Sequence, residues 1–192
     1  AMRRSMETLT DHYARLTAAG DLTSDAAQQA ALPEFDRIRA GLAARAAHKG
    51  WFRRAPEPPK GLYLWGGVGR GKSMLMDLFV ETLGIAEKRR AHFHEFMLEV
   101  DRRMRERRTS DPGDPTGKVA RDIAADVRCL AFDEMVVNNT ADGAIMARLF
   151  TALIRDEGVT VVTTSNRPPR DLYKDGLNRS LFLPFIDLVE DE

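Results

Sequence analysis

Apolar residues along the chain follow two spacings that alternate, and this alternation predicts an α/β fold. Steps of three and four residues, the spacing of one helix face, occur in six segments: 5–19, 24–50, 72–84, 95–108, 118–125 and 141–156. Segments of strand length occur between them: apolar runs at 62–65 and 127–132, a β-branched run at 159–165, and an alternating segment at 90–94. We therefore predict a mostly parallel sheet with helices on both faces, preceded by amino-terminal helices.

Prolines divide the amino-terminal third of the chain. Pro33 falls inside the second helical segment, and because proline has no N–H we expect it to interrupt that helix. The stretch Pro56-Glu57-Pro58-Pro59 is a stiff connector. It predicts a boundary between an amino-terminal helical segment with its linker, residues 1–59, and a core over residues 60–192.

Composition narrows the functional class. Hydrophobic residues make up 43% of the chain, which is ample for a packed core, and the 29 basic side chains equal the 29 acidic ones. Net charge therefore gives no argument for a surface that binds polyanions. The single cysteine, Cys129, excludes an internal disulfide, and no apolar run approaches the length of a membrane span. We expect a globular cytoplasmic protein.

The most specific chemical motif lies between the first predicted strand and the helix after it. Residues 66–73 match the phosphate-binding pattern G-x-x-x-x-G-K-[ST] of a P-loop. Glycines let backbone N–H groups converge on an anion, and the helix start adds partial positive charge. We predict that Lys72 reaches the β- and γ-phosphates of ATP and that Ser73 ligates Mg²⁺. The predicted nucleotide-binding set is Gly66, Gly67, Val68, Gly69, Arg70, Gly71, Lys72, Ser73 and Met74.

A second motif follows the third predicted strand, where Asp133 and Glu134 come directly after the apolar run 127–132. A carboxylate at the carboxyl end of a strand next to the P-loop strand can hold Mg²⁺ through water, and the next carboxylate can deprotonate the attacking water. We therefore assign Asp133 to the metal and Glu134 to the base. Asn166, after the β-branched run 159–165, is the predicted water-positioning amide.

Three patterns permit two interpretations each. His92 and His94 lie two apart, so on a strand they would share a side and could ligate a metal; ordinary core or hydrogen-bonding histidines are the favoured alternative. Asp25 and Gln28 face either a nucleotide base or solvent. A cluster of arginines could bind along a nucleic-acid phosphate backbone, or it could form a solvated helix face in which interleaved carboxylates pair with the arginines. We favour the solvated helix face. The members of the cluster are Arg102, Arg103, Arg105, Arg107 and Arg108.

Longer stretches resemble the ZapE/AFG-type ATPases, which are built on an AAA+ type core. The similar stretches are 61–73, 93–97, 132–134 and 164–186, and the resemblance runs from about Asp21 to the end of the chain. The stretch 164–169, Thr-Ser-Asn-Arg-Pro-Pro, is more distinctive than the phosphate-binding motif. The resemblance implies that 66–73 is Walker A, that Asp133 and Glu134 are Walker B, and that Asn166 is sensor 1.

The same resemblance implies a function. The family comprises a bacterial cell-division ATPase that acts on the FtsZ ring and mitochondrial relatives tied to protein quality control. We therefore expect Mg²⁺-dependent ATP hydrolysis that remodels a protein partner, with FtsZ as one candidate, in a homo-oligomer. Arg179 is the first candidate for an arginine finger supplied to a neighbouring subunit, and Arg167 is the second. Alternatives are a helicase-loader-like ATPase acting on nucleic acid and a nucleotide-gated adaptor with little turnover; peripheral membrane association stays open.

The chain departs from the family pattern in two places. Residues 135–140 read Met-Val-Val-Asn-Asn-Thr where the family usually has Phe-Gln-Val-Thr-Asp after the Walker B pair. We also expect the chain to stop before a fifth core strand and a helical lid.

In ring-forming ATPases of this superfamily the segment around Phe96 and Met97 can line a central pore, but core packing is the interpretation that we favour.

Overall fold

The computed structural model describes residues 7–22, 26–51, 53–66, 71–110, 112–135, 140–165 and 186–191. Two helices precede the sheet, α1 (Leu9–Ala18) and α2 (Ala26–Ala47). The elements that follow are β1 (Gly61–Gly66), α3 (Gly71–Thr82), β2 (Lys88–His92), α4 (Phe93–Ser110), α5 (Thr116–Ala124), β3 (Cys129–Asp133), α6 (Thr140–Thr151), β4 (Thr160–Ser165) and β5 (Ile186–Asp191). A π-helical turn, Ala152–Asp156, continues α6. Within the described part of the chain, no helix has the length and apolar character needed to cross a membrane.

The strands form one five-stranded sheet in the order β2-β3-β4-β1-β5, and every pair is parallel. This confirms the predicted α/β class. The expectation that the strand of Asp133 lies next to the P-loop strand is wrong, because β4 lies between β3 and β1. All six residues of β4 are buried, and its β-branched composition suits a central strand covered on both faces. Order along the chain does not determine order in a sheet.

The expectation that the chain stops before a fifth core strand is also wrong. Strand β5 pairs with β1 over its whole length, from Gly61 opposite Ile186 to Gly66 opposite Asp191. Its sequence carries acids at Asp187, Glu190 and Asp191, so it lacks the continuous apolar or β-branched run by which β1, β3 and β4 were predicted. An edge strand has a neighbour on one side only and tolerates charged residues that a central strand would not.

The sheet has two differently covered faces. Helices α1, α2 and α3 share a hydrophobic cluster with Cys129 and Ala131 of β3, and we call this side the α3 face. Helices α4, α5 and α6 pack against Leu130 and Phe132, and we call that side the α4 face. Because side chains along a strand alternate between faces, Asp133 belongs to the α3 face, the side of the P-loop helix.

The α4 face contains an aromatic cluster. Phe96 of α4 is fully buried, and its ring centroid lies 4.7 Å from that of Phe132 and 6.2 Å from that of Phe150. Met97 is 8% exposed and belongs to the same cluster. The pore-lining interpretation of Phe96 and Met97 is therefore wrong, and core packing is confirmed, because both side chains occupy the inward side of α4.

Helix α2 does not break at Pro33, contrary to the prediction. It runs without interruption from Ala26 to Ala47. Leu32, Phe35 and Ile38 on either side of the proline are buried in the cluster of the α3 face. This packing maintains the helix in spite of the missing N–H. The division at residue 60 remains an interpretation of the sequence; in the structure α1 and α2 share one hydrophobic cluster with α3.

Candidate active site at the carboxyl end of the sheet

The P-loop begins where β1 ends, at Gly66, and α3 starts at Gly71. The predicted strand-loop-helix order is thus present, while Gly67, Val68, Gly69 and Arg70 lie outside the described residues. In the first turn of α3, Lys72 is only 4% exposed, Ser73 is exposed and Met74 is half-buried. Backbone N–H groups in the first turn of a helix have no intrahelical acceptor, so this end of α3 is suited to a phosphate.

Gln28 of α2 reaches the first residue of α3. A Cβ atom on Gly71 would stand 1.8 Å from Gln28 Nε2, so only glycine permits this close approach with the carboxamide in its present position. The Gln28 Oε1 atom accepts a hydrogen bond of 2.8 Å from the Tyr13 hydroxyl of α1. The amino-terminal helices therefore contact the start of the P-loop helix. Asp25, the other residue considered for the nucleotide base, lies outside the described residues.

Asp133 is the last residue of β3 and is 8% exposed. One of its oxygens, Oδ2, accepts a hydrogen bond from Arg90 Nη2. The other, Oδ1, is buried and has no hydrogen-bond partner among the residues that the structure describes. A buried carboxylate oxygen without a partner costs free energy, and a divalent cation or its bound water would satisfy it. With the Ser73 hydroxyl as a second oxygen ligand, the donor set fits Mg²⁺.

Glu134 follows Asp133 with a left-handed backbone, φ 53°, and is exposed. Such a conformation costs about 1–3 kcal/mol for a residue that carries a side chain, and it concentrates at functional sites. Strand β4 holds it in place. The Glu134 N–H donates to Thr164 Oγ1 at 3.3 Å, and the Met135 N–H donates to the Thr164 carbonyl at 3.0 Å. The backbone therefore turns the Glu134 carboxylate outward while its neighbour Asp133 stays buried.

Sequence reasoning missed Arg90. It lies on β2, and its guanidinium forms ion pairs with Asp133 and with Asp77 of α3. The available signal was a run of three cations, Lys88, Arg89 and Arg90, of which only Arg90 fell inside the predicted strand 90–94. The sequence did not show which of them would meet the carboxylate.

The histidine pair does not have the predicted geometry. His92 is the last residue of β2, whereas His94 lies in α4, so the two do not share a strand. Both are exposed. The argument for a metal site from two residues on one side of a strand is therefore wrong.

Three of the clustered arginines pair with carboxylates. Arg102 contacts Glu106 and Arg103 contacts Glu99, each at 3.0 Å, and Arg107 contacts Asp122. The cluster has the ion-pairing of a solvated helix face. Asn166, Arg167 and Arg179 lie outside the described residues, so their predicted roles stay predictions.

Comparisons with known proteins agree with this arrangement. A model of the family described as AFG1-like ATPase matches residues 7–192. The chain is 44% identical over 155 residues to the cell division protein ZapE of Escherichia coli strain K12. This match covers 78% of the present chain and 40% of ZapE. The chain is also 44% identical over 145 residues to the lactation elevated protein 1 homolog B of Danio rerio, and this match covers 71% of the present chain and 29% of that protein. The match thus spans less than half the length of either relative.

The fold also matches solved structures. The AMPPCP-bound DnaA of Aquifex aeolicus superimposes with a TM-score of 0.58 at 15% identity, covering 90% of this chain and 50% of that one. At this identity the likeness concerns the fold, which is that of P-loop AAA+ domains. With the family model matching nearly the whole chain, the chain belongs to the AFG1-like ATPase family.

Proposed function

We propose that this chain binds ATP with Mg²⁺ and hydrolyses it, and that hydrolysis remodels a protein partner. The observation that carries the proposal is the pair at the end of β3. Asp133 is buried with one oxygen without a partner among the described residues, and Glu134 is turned outward by a left-handed backbone. A holder for a cation and an accessible base are the two carboxylate roles that hydrolysis of ATP requires.

Each residue has a defined task in this mechanism. Lys72 supplies positive charge to the β- and γ-phosphates, and Ser73 and Asp133 would hold Mg²⁺. When bound, Mg²⁺ neutralises charge on the phosphate oxygens. Glu134 accepts the proton of the attacking water, which Asn166 orients. Arg179 from a neighbouring subunit stabilises the charge that develops on the γ-phosphate, a contribution of about 10³–10⁵ in rate in P-loop enzymes.

The partner is proposed at a coarser level. ZapE is named a cell division protein, and the present chain is similar to 40% of its length. By this similarity we propose a protein partner in cell division, with the FtsZ ring as one candidate, and a homo-oligomeric assembly in the cytoplasm. Because Arg179 acts in trans, hydrolysis per subunit should be slow at low protein concentration and should rise on assembly.

The test measures ATP binding and single-turnover hydrolysis separately. We expect Lys72→Ala to abolish both, because it removes charge from the phosphate cradle, whereas the matched control Lys118→Ala, an exposed lysine of α5 on the α4 face, should leave both unchanged. Equal ATP binding by wild type and Lys72→Ala would contradict the proposal. Binding by wild type without any single-turnover hydrolysis would instead favour the nucleotide-gated adaptor.

A further inference from the structure

Arg90 joins two elements of the proposed magnesium site. Its Nη2 atom contacts Asp133 Oδ2 at the end of β3, and its Nη1 atom contacts Asp77 Oδ1 on α3. We propose that Arg90 is a positioning residue for Mg²⁺: it engages Oδ2 of Asp133 so that Oδ1 alone is presented to the metal, and it fixes this carboxylate to the P-loop helix through Asp77. This inference rests on the proposed function and assigns a new residue to the same site.

The strand register places Arg90 correctly for this task. Arg90 lies opposite Ala131 in the β2–β3 ladder, and His92 lies opposite Asp133. Arg90 thus precedes the residue opposite Asp133 by two positions, or about 6.6 Å along the strand. An extended arginine side chain spans this distance. Its register neighbour on β3, Ala131, is buried and has a small side chain.

The position of Asp77 links Arg90 to the other oxygen ligand. Asp77 is four residues after Ser73 on α3, so the two lie on the same side of the helix, one turn apart. Arg90 therefore connects the turn below Ser73 with the carboxylate of Asp133. A shift of α3 relative to β3 would break this contact and separate the two residues that would hold the metal.

The charges at this point leave the site attractive to a cation. Asp77, Arg90 and Asp133 together carry one net negative charge, and the side chain of Asp133 is only 11% exposed. The flat guanidinium uses two different nitrogens for its two carboxylates, which a lysine ammonium cannot reproduce with the same geometry. Hydrogen bonds of this kind to ligating carboxylates commonly contribute about 10–100-fold to metal affinity or activity.

The neighbouring Arg89 supplies a matched control. It lies on the same strand with its side chain on the opposite face, where it pairs with Glu99 and stands 5.5 Å from the centroid of the Phe96 ring. Neutralising Arg89 removes the same charge from the same strand without touching Asp133. It separates loss of strand stability from loss of metal positioning.

The experiment compares the affinity for a fluorescent ADP analogue in Mg²⁺ and in EDTA. We expect Mg²⁺ to increase the affinity of the wild type for the analogue. In Arg90→Gln this gain in affinity should be smaller by about 10-fold or more, while the affinity in EDTA should be unchanged. Arg90→Lys should restore part of the gain. Asp77→Asn should lose less than Arg90→Gln, and Arg89→Gln should keep the full gain. Thermal unfolding without metal shows which variants are folded.

An unchanged gain in folded Arg90→Gln would overturn the inference alone. A larger gain would also overturn it, because Arg90 would then act only as a charge that competes with the metal. If Arg90→Gln does not fold, the test uses Asp77→Asn, because this variant removes the link to α3 and keeps Arg90. If Mg²⁺ increases the affinity of Asp77→Asn as much as that of the wild type, the inference is refuted. If Mg²⁺ gives no gain in the wild type, the proposed function fails as well.

Discussion

The two faces of the sheet differ most clearly where β2 presents its successive arginines. On the α4 face, Arg89 pairs with Glu99 beside the buried ring of Phe96. On the α3 face, Arg90 meets Asp133, whose second oxygen has no partner among the described residues. The same residue type, one position apart, therefore contributes to packing on one side and to a candidate ligand site on the other. Its role depends on the face and not on the residue.

This difference indicates how the fold distributes stability. The α4 face buries aromatic and aliphatic side chains in one continuous cluster. The carboxyl end of the α3 face contains two features that oppose folding: a buried oxygen of Asp133 that has no hydrogen-bond partner in the described part of the chain, and a left-handed backbone at Glu134. Such features persist only where the surrounding structure offsets their cost. We therefore expect changes on the α4 face to affect unfolding and changes at the site to affect ligands.

The largest expected effect concerns Glu134. Glu134→Gln keeps the shape of the side chain but removes the base, so we expect single-turnover hydrolysis to fall by about 10²–10⁴-fold. ATP binding should be retained, because Lys72 supplies the charge for the ground state. Quenched-flow measurement of ADP formation with parallel ATP titrations tests this. Hydrolysis at the wild-type rate would remove Glu134 from the mechanism.

Truncation in the aromatic cluster should affect stability. Phe96→Ala removes a fully buried ring that packs on Phe132 and Phe150, and we expect the free energy of unfolding to fall by about 3–5 kcal/mol. The control Leu98→Ala truncates a side chain of the same helix in a residue that is 57% exposed, and should change it by no more than about 0.5 kcal/mol. Urea unfolding measures both. Equal effects would contradict the assignment of Phe96 to the core.

Acid should weaken the α4 face through Glu99. A hydrogen bond from Arg89, reinforced by Arg103, holds the pKa of Glu99 below its ordinary value. The stabilisation is therefore complete above the pKa of the unfolded chain, about 4.3, and is lost as the pH falls through the lower folded-state pKa. We expect the free energy of unfolding of Glu99→Gln to decrease less steeply than that of the wild type as the pH falls below this value. Glu106→Gln, at the exposed pair with Arg102, should retain the wild-type slope.

The smallest effect is a change in a labelling rate on the α3 face. Burial raises the pKa of the Cys129 thiol to about 12, so almost no thiolate forms in the folded protein near neutral pH. Cys129 lies on β3 on the same side as Asp133, beneath α3. A thiol reagent should label it only when this face opens, and ATP with Mg²⁺ should slow the labelling further. Rapid labelling of the folded chain would show that the α3 face is not closed.

Local patterns predicted much of this molecule, and non-local contacts determine the rest. Apolar spacing located the helices and the first four strands, and a carboxylate after an apolar run located Asp133. Strand order was not predictable, because β4 enters the centre of the sheet by pairing that no local spacing encodes.

The remaining misses have separate physical causes. Strand β5 carries acidic residues at an edge, and packing across Pro33 maintains a helix that proline was expected to interrupt. Arg90 and the backbone of Glu134 depend on contacts with α3 and β4, respectively. The roles of Asn166 and Arg179 remain predictions.

The most direct test of the account is the position of the metal. A crystal structure with Mn²⁺ and a non-hydrolysable ATP analogue would locate the ion by its anomalous scattering. We predict the ion beside Oδ1 of Asp133, directly or through one water, with Arg90 still on Oδ2 and with the phosphates at the start of α3. An ion held away from Asp133, or one that displaces Arg90 from the carboxylate, would contradict it.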